Sequence, residues 1–246
     1  MSSQLYLWEP LRQQYISDLT TIKDMFIERI QPIFANPESE AEKYKEELWE
    51  SIMNRPCAED EWADPGDYVD FVQDKAIERY EMLSLMKYRN IGMWLSCLCQ
   101  VWEQQLYSFI IHEAEHEGLK YNPVDTKRGF AFTKEAFEFH QQRFEDMPAW
   151  NKIKELRLLV NVIKHAEGDS EEKLRKIRPD YFIQDIYGTE YDPMSLYHTT
   201  LLEPTLTIKE QDFIDYFNAL VQFWSDLPER MYSHDISYDC FLLGTL

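Results

Sequence analysis

From Asp67 to Gly118 apolar residues recur every three or four positions with hardly a break. A run that long at helical period leaves little choice of fold class, since strands repeat every two residues and end within about ten. The run is longer than an ordinary globular helix, so it reads as two helices with a break at Arg89-Asn-Ile-Gly92. Its second half, Met93 to His116, is the greasiest part of the chain. Trp94, Leu98, Val101, Trp102, Leu106 and Phe109 mark it as a central core helix. Glu103 and Gln104 fall in its middle, and a carboxylate at that depth needs a partner. Only 7 of the 246 residues are glycine, while 44% are hydrophobic and 15% aromatic. The expected fold is therefore all-α: a helical bundle with long central helices and a mostly irregular segment near 181–206.

The remaining pattern fills in around that centre. Leu11, Tyr15, Leu19, Ile22, Phe26 and Ile30 predict a first helix from Pro10 to Ala35, bent or ended by Pro32. A turn at Asn36-Pro37-Glu38-Ser39 leads into an acidic helix from Glu40 to Asn54. Arg55 to Gly66 reads as a loop. It divides the chain either into a 1–60 helical pair packed on a 61–246 main domain, or into nothing more than parts of one domain, 1–246. Further helices are expected from Thr133 to Phe144, from Pro148 to Ala166, from Ser170 to Arg178, and from a capping box at Thr207-Ile-Lys-Glu210 to Met231. Thr199 to Thr207 has room for a short strand, and the tail from Ser233 ends apolar.

The formal net charge of −20 opposes nonspecific association with nucleic acid. The charge is uneven, however. Glu38 to Asp70 is strongly acidic, whereas Lys152 to Arg178 holds Lys152, Lys154, Arg157, Lys164, Lys173, Arg175, Lys176 and Arg178. No apolar run reaches the ~20 residues that span a bilayer, and the N-terminus has no signal-peptide pattern, which implies a cytoplasmic protein without a membrane partner. Cys57, Cys97, Cys99 and Cys240 form no CxxC pair and read as buried free thiols.

One basic segment carries the chemistry. In Glu155-Leu-Arg-Leu-Leu-Val-Asn-Val-Ile-Lys-His-Ala-Glu-Gly168, the polar residues Arg157, Asn161 and His165 are four apart and form a slightly slanted helical stripe, with Lys164 beside it. Leu156, Leu159, Val160 and Ile163 face inward, and Gly168 ends the helix. Imidazole exchanges protons near neutral pH, guanidinium grips phosphate in a two-pronged bond, and an amide can orient either one.

Asn161-Val-Ile-Lys-His165 resembles the second half of the hallmark motif of the HEPN superfamily (higher eukaryotes and prokaryotes nucleotide-binding). These are helical bundles, many of them RNases of toxin–antitoxin and phage-defence systems. The family motif is an arginine, usually followed by Asn, Asp or His, and then a histidine after four to six intervening residues. Here Val160 precedes Asn161, and Arg157 stands one turn early on the same face. The resemblance spans Met93 to Pro179 and implies a metal-independent RNase or RNA-binding protein with no cofactor, pairing as a homodimer across the motif helices. It implies His165 as acid/base, Asn161 as orienter and Arg157 on phosphate. Lys164 and Arg175 are the further phosphate contacts. Attack by the RNA 2′-hydroxyl would leave a cyclic phosphate.

Two alternatives stand beside it. In one, the chain is a non-catalytic helical interaction protein whose acidic surface meets a basic protein partner. In the other, His112-Glu113-Ala-Glu-His116 matches the H-E-x-x-H pattern that places two imidazoles on one helical face for zinc, with Glu113 as general base. Glu115 and the nearby Gly118 depart from that context, so no metal site is assigned; His112 and His116 are the candidates if one exists.

Overall fold

One helix organises the molecule. In the computed structural model, which describes residues 3–55, 65–117, 119–121, 123–186, 188–233 and 242–245, the chain forms an all-α bundle with short two-stranded ribbons at its margins. In order the elements are β1 (Gln4–Tyr6), α1 (Glu9–Met25), α2 (Pro37–Met53), α3 (Pro65–His116), β2 (Leu119–Tyr121), α4 (Pro123–Thr126), α5 (Phe130–Phe139), α6 (Trp150–His165), α7 (Asp169–Ile177), β3 (Gln184–Ile186), β4 (Thr189–Tyr191), α8 (Pro193–Tyr197), α9 (Glu210–Asp226), β5 (Arg230–Tyr232) and β6 (Leu242–Thr245).

The break expected at Arg89–Gly92 does not occur. Helix α3 is continuous over 52 residues. Gly92 has a packing role: a Cβ built there would lie 3.4 Å from Cγ2 of Ile163, in van der Waals contact, so α6 lies close enough that a methyl group fits and a larger side chain does not. Beyond this contact Leu95, Leu98, Trp102, Leu106 and Phe109 are fully buried. They meet Ile153, Leu156 and Leu159 of α6 and Phe213, Leu220, Phe223 and Trp224 of α9 in one core.

Helix α1 belongs to that core through Tyr15 and Leu19, with Phe26 just past its end, and packs on α9 and α3, whereas α2 packs on α3. The first two helices therefore do not pair with each other. The expected 55–66 loop falls largely outside the described residues, as do Cys57, Cys240 and most of the tail after Ser233. The bend expected near Pro32 is a π turn at Phe26–Ile30 followed by a 3-10 turn at Gln31–Phe34. Proline has no N–H to give to the α-ladder, so the hydrogen-bond pattern shifts around it.

Buried polar side chains close the loose ends. The guanidinium of Arg12, only 7% exposed, donates to the carbonyls of Trp224 and Leu227 and so caps the C-terminus of α9. Gln105 donates to the Tyr15 carbonyl at 3.0 Å and accepts from the Trp224 indole at 3.0 Å. Several expected boundaries move. Helix α5 starts at Phe130 and stops at Phe139, and α9 starts at Glu210, where Asp212 accepts from the Lys209 amide. That helix stops at Asp226 because β5 follows and pairs with β1, with Leu5 opposite Met231. The ribbon in the irregular region is β3–β4, and 199–207 is not a strand.

If Gly92 is a packing position in an unbroken helix, Gly92→Ala should raise stability by about 0.5–1 kcal/mol through helix propensity. Gly92→Leu should lower it by about 1–3 kcal/mol by overpacking against Ile163. Thermal denaturation of the two variants checks both signs.

Candidate functional site

The stripe lies on α6, whose inward face is the one expected: Leu156, Leu159, Val160 and Ile163 are all buried. The helix stops earlier than expected. Ala166 takes a positive φ of 58°, its N–H bonds the Val162 carbonyl, and the chain then passes through Gly168 at φ 136°. The Thr200 hydroxyl donates to the Ile163 carbonyl at 2.7 Å, satisfying one of the orphan acceptors at that end.

The three stripe residues have different surroundings. Arg157 is the partner that Glu103 required: its Nε donates to Oε1 at 2.6 Å, and the guanidinium lies 3.5 Å from the centroid of Phe130. Asn161 is exposed, with Nδ2 3.4 Å from Ser170 Oγ. His165 is the last residue of α6 and exposed. Lys164 is exposed beside it. Arg175 points elsewhere: it is ion-paired with Glu171 and with Asp192 at 2.6 Å, and it covers the Phe182 ring.

Arg157 and Asn161 line a surface groove of about 770 Å³ together with Arg128, Phe130, Lys134, Glu145, Trp150, Lys154, Leu158 and Lys173. An adjoining groove of about 630 Å³ shares Lys154, Leu158 and Lys173 and adds Asn151, Lys152, Glu155, Lys176 and Ile177. The two form one channel between α6 and α7, edged by the start of α5. Among the described residues its lining carboxylates are Glu145 and Glu155, both engaged: Glu145 with Lys134, Glu155 with Lys152. The hydrogen bond from Lys134 holds the Glu145 carboxyl below the ordinary carboxylate range. Among the described residues Lys154 and Lys176 have no ion-pair partner, and Lys173 has only a loose one, 3.9 Å from Asp169. His165, one turn past Asn161, is outside the lining of both grooves.

A polar network fixes the two walls. Glu155 Oε1 accepts from Lys152 at 2.8 Å, Arg178 at 2.6 Å and Tyr216 at 2.8 Å. Burial pushes the Glu155 pKa up, but these donors outweigh it and hold the carboxyl below its usual range. Arg178 also pairs with Asp212 at 3.1 Å, and the Tyr181 and Tyr216 hydroxyls are 2.8 Å apart. Helices α6, α7 and α9 are thereby tied together, and Lys173 and Lys176 are held across from Lys154. Lys154 could have been read from the sequence as a site residue, because it lies three residues before Arg157 and seven before Asn161 on the same face. Arg128, Phe130, Lys134 and Trp150 reach the channel by tertiary packing and carry no local signal.

The H-E-x-x-H segment has structural work. Glu113 is buried; it accepts the Tyr6 amide at 2.8 Å and touches His116 Nδ1 at 3.2 Å. Glu117, one turn on, accepts the Gln4 amide at 2.8 Å. The two carboxylates clamp β1. Among the described residues no group of three His, Cys, Asp or Glu is placed to hold a metal ion. Cys99 is buried, and burial together with Glu103 pushes its thiol up to about 12, so it is inert; Cys97 is exposed, contrary to expectation, because two positions on a helix face opposite ways. No protein-family model, characterised protein or solved structure matches this chain.

Two outcomes follow. Removing Arg157 leaves a half-buried carboxylate, so Arg157→Ala should cost about 1–3 kcal/mol. A double-mutant cycle with Glu103→Ala should return a coupling of at least about 0.5 kcal/mol. The second concerns His140, which is 1% exposed, with Nδ1 donating to the Ala136 carbonyl and Nε2 3.1 Å from Ser3 Oγ. Burial lowers its pKa below the ordinary value of 6.5. The unfolded chain therefore binds this proton first, and stability is lost as pH falls through 6.5 towards the folded value. The melting temperature should drop between about pH 7.5 and pH 5.5, with a smaller slope in His140→Gln.

Proposed function

We propose that this chain is an RNA-binding helical protein of HEPN-like type, with the phosphate backbone of a single strand running along the channel between α6 and α7. The observation that supports this most is the clustering of Lys154, Lys173 and Lys176, weakly paired or unpaired, in one channel of a chain whose net charge is −20. Cations that a protein keeps together against its own overall charge mark where an anion is received. Exposed amides at Asn151 and Asn161 add hydrogen-bond donors, and Phe130 and Trp150, stacked with centroids 6.1 Å apart, give the channel an aromatic wall.

Cleavage is the further half of the resemblance. It would use His165 to take the proton from a 2′-hydroxyl, with Asn161 orienting and Arg157 or Lys164 on phosphate. His165 stands just past the channel, so the strand would have to continue along α6 to its C-terminus; a second copy facing the same helix end would complete the site. The geometry favours binding more than it favours chemistry, because Arg157 is already committed to Glu103 and Phe130.

Fluorescence anisotropy with a labelled single-stranded RNA tests the reading. The wild type should bind at low salt, with log K falling as log salt rises by roughly 0.7 per phosphate contacted. Lys154→Glu with Lys173→Glu should weaken binding at least tenfold and flatten that slope. If cleavage accompanies binding, His165→Ala should remove about 100-fold of it while leaving the affinity in place. No association at low salt, or an affinity indifferent to the two reversals, overturns the proposal.

A further inference from the structure

A second surface lies at the opposite electrostatic extreme. Helix α2 and the N-terminal half of α3 pair as an arm, and among the described residues α3 is the main packing partner of α2. Two helices alone bury only one stripe of each other. Val72, Ala41 and Ala76 fill that seam, while Leu48, Trp49 and Ile52 are only half-buried. Along one side of the seam runs a groove of about 200 Å³ whose floor is Ala41, Ala76, Ile77 and Tyr80. Ile77 and Tyr80 are 46% and 39% exposed, and Val69, further along the same helical stripe, is 52% exposed.

Both edges of this floor are acidic. On the α2 side stand Glu38 and Glu42, four apart; Glu42 has an exposed contact to Lys45 at 3.3 Å. On the α3 side Asp70, Asp74 and Glu81 fall one helical position away from the stripe. An apolar seam between two rows of carboxylates specifies its occupant in shape and in sign. A third helix fits the seam of a helix pair, with apolar anchors three and four residues apart entering it. Its flanks must be basic. A second copy of this arm would bring the same carboxylates face to face, and a nucleic acid would be repelled.

We propose that the α2–α3 arm is a docking site for a basic amphipathic helix of a partner protein, its apolar stripe on Ala41, Ile77 and Tyr80 and its lysines and arginines between the two acidic rows. The site is separate from the α6–α7 channel and does not depend on the RNA reading.

The test uses the full chain and a synthetic five-turn peptide, with leucine at the first, fourth and fifth positions of each heptad and lysine elsewhere. A scrambled peptide of the same composition is the control. Calorimetry should show the patterned peptide binding at least tenfold tighter than the scrambled one. Ile77→Glu should remove that preference. Glu38→Lys with Glu42→Lys should weaken binding tenfold or more and reduce its salt dependence. All these side chains are exposed, and an unchanged melting temperature verifies that the variants are folded; Ile77→Ala is the milder substitute should Ile77→Glu not fold. Equal binding of both peptides, or binding that none of these substitutions alters, overturns the proposal. So does self-association of the chain that Ile77→Glu abolishes, because the occupant is then a second copy. RNA affinity measured on Ile77→Ala, which leaves the charge as it is, should be unchanged, so the two sites stand or fall separately.

Discussion

The C-terminal half of α3 must be wrapped on several sides at once, and the rest of the architecture answers that demand. Leu95, Leu98, Trp102, Leu106 and Phe109 are without solvent contact, and side chains of this size contribute about 1.5–3 kcal/mol each when buried. Helices α1, α6 and α9 supply the covering surfaces. The close approach of α6 depends on Gly92 carrying no bulky side chain, and its register is marked by the one carboxylate in that stretch that needs a counter-ion. Because Glu103 takes Arg157, the polar face of α6 turns sideways. Lys152 and Lys154, on the N-terminal side of Arg157, then look outward into the channel rather than into the core.

Much of this was legible in the sequence because it rests on local periodicity. The helical spacing of Trp94 to Phe109 and the inward face of α6 follow from which residues are apolar, and both are found in place. The need of Glu103 for a partner follows from its setting as well. What the pattern could not give was the partner itself, 54 residues away in the chain, since nothing local distinguishes an arginine reserved for a half-buried carboxylate from one reserved for a phosphate. The same limit applies to Arg175, taken up by Asp192, and to Phe130, which the packing of α5 brings against Trp150 of α6. The glycine in α3 misled for a different reason. Gly at mid-helix reads as a weak point when only propensity is considered, and as a contact only when the neighbouring helix is known.

The H-E-x-x-H segment shows how a motif can be matched by a structural requirement. An edge strand such as β1 presents backbone amides that need acceptors. Two carboxylates four apart, Glu113 in α3 and Glu117 just past its end, provide them. The spacing that would align zinc ligands is thus the spacing that pins a strand to a helix.

The unbroken length of α3 has a consequence for how the molecule meets charge at a distance. From Asp70 to Glu103 the helix runs for 33 residues, or about 50 Å at its regular rise. That distance separates the acidic arm from the basic channel by several screening lengths at physiological ionic strength. Two regions of opposite sign held apart on a stiff rod make a large electric dipole. At low ionic strength an RNA of the kind proposed above would exert a torque on such a body before contact, turning the arm away and the channel inward. Orientation is then set during the encounter, and a molecule repelled on average can still arrive the right way round.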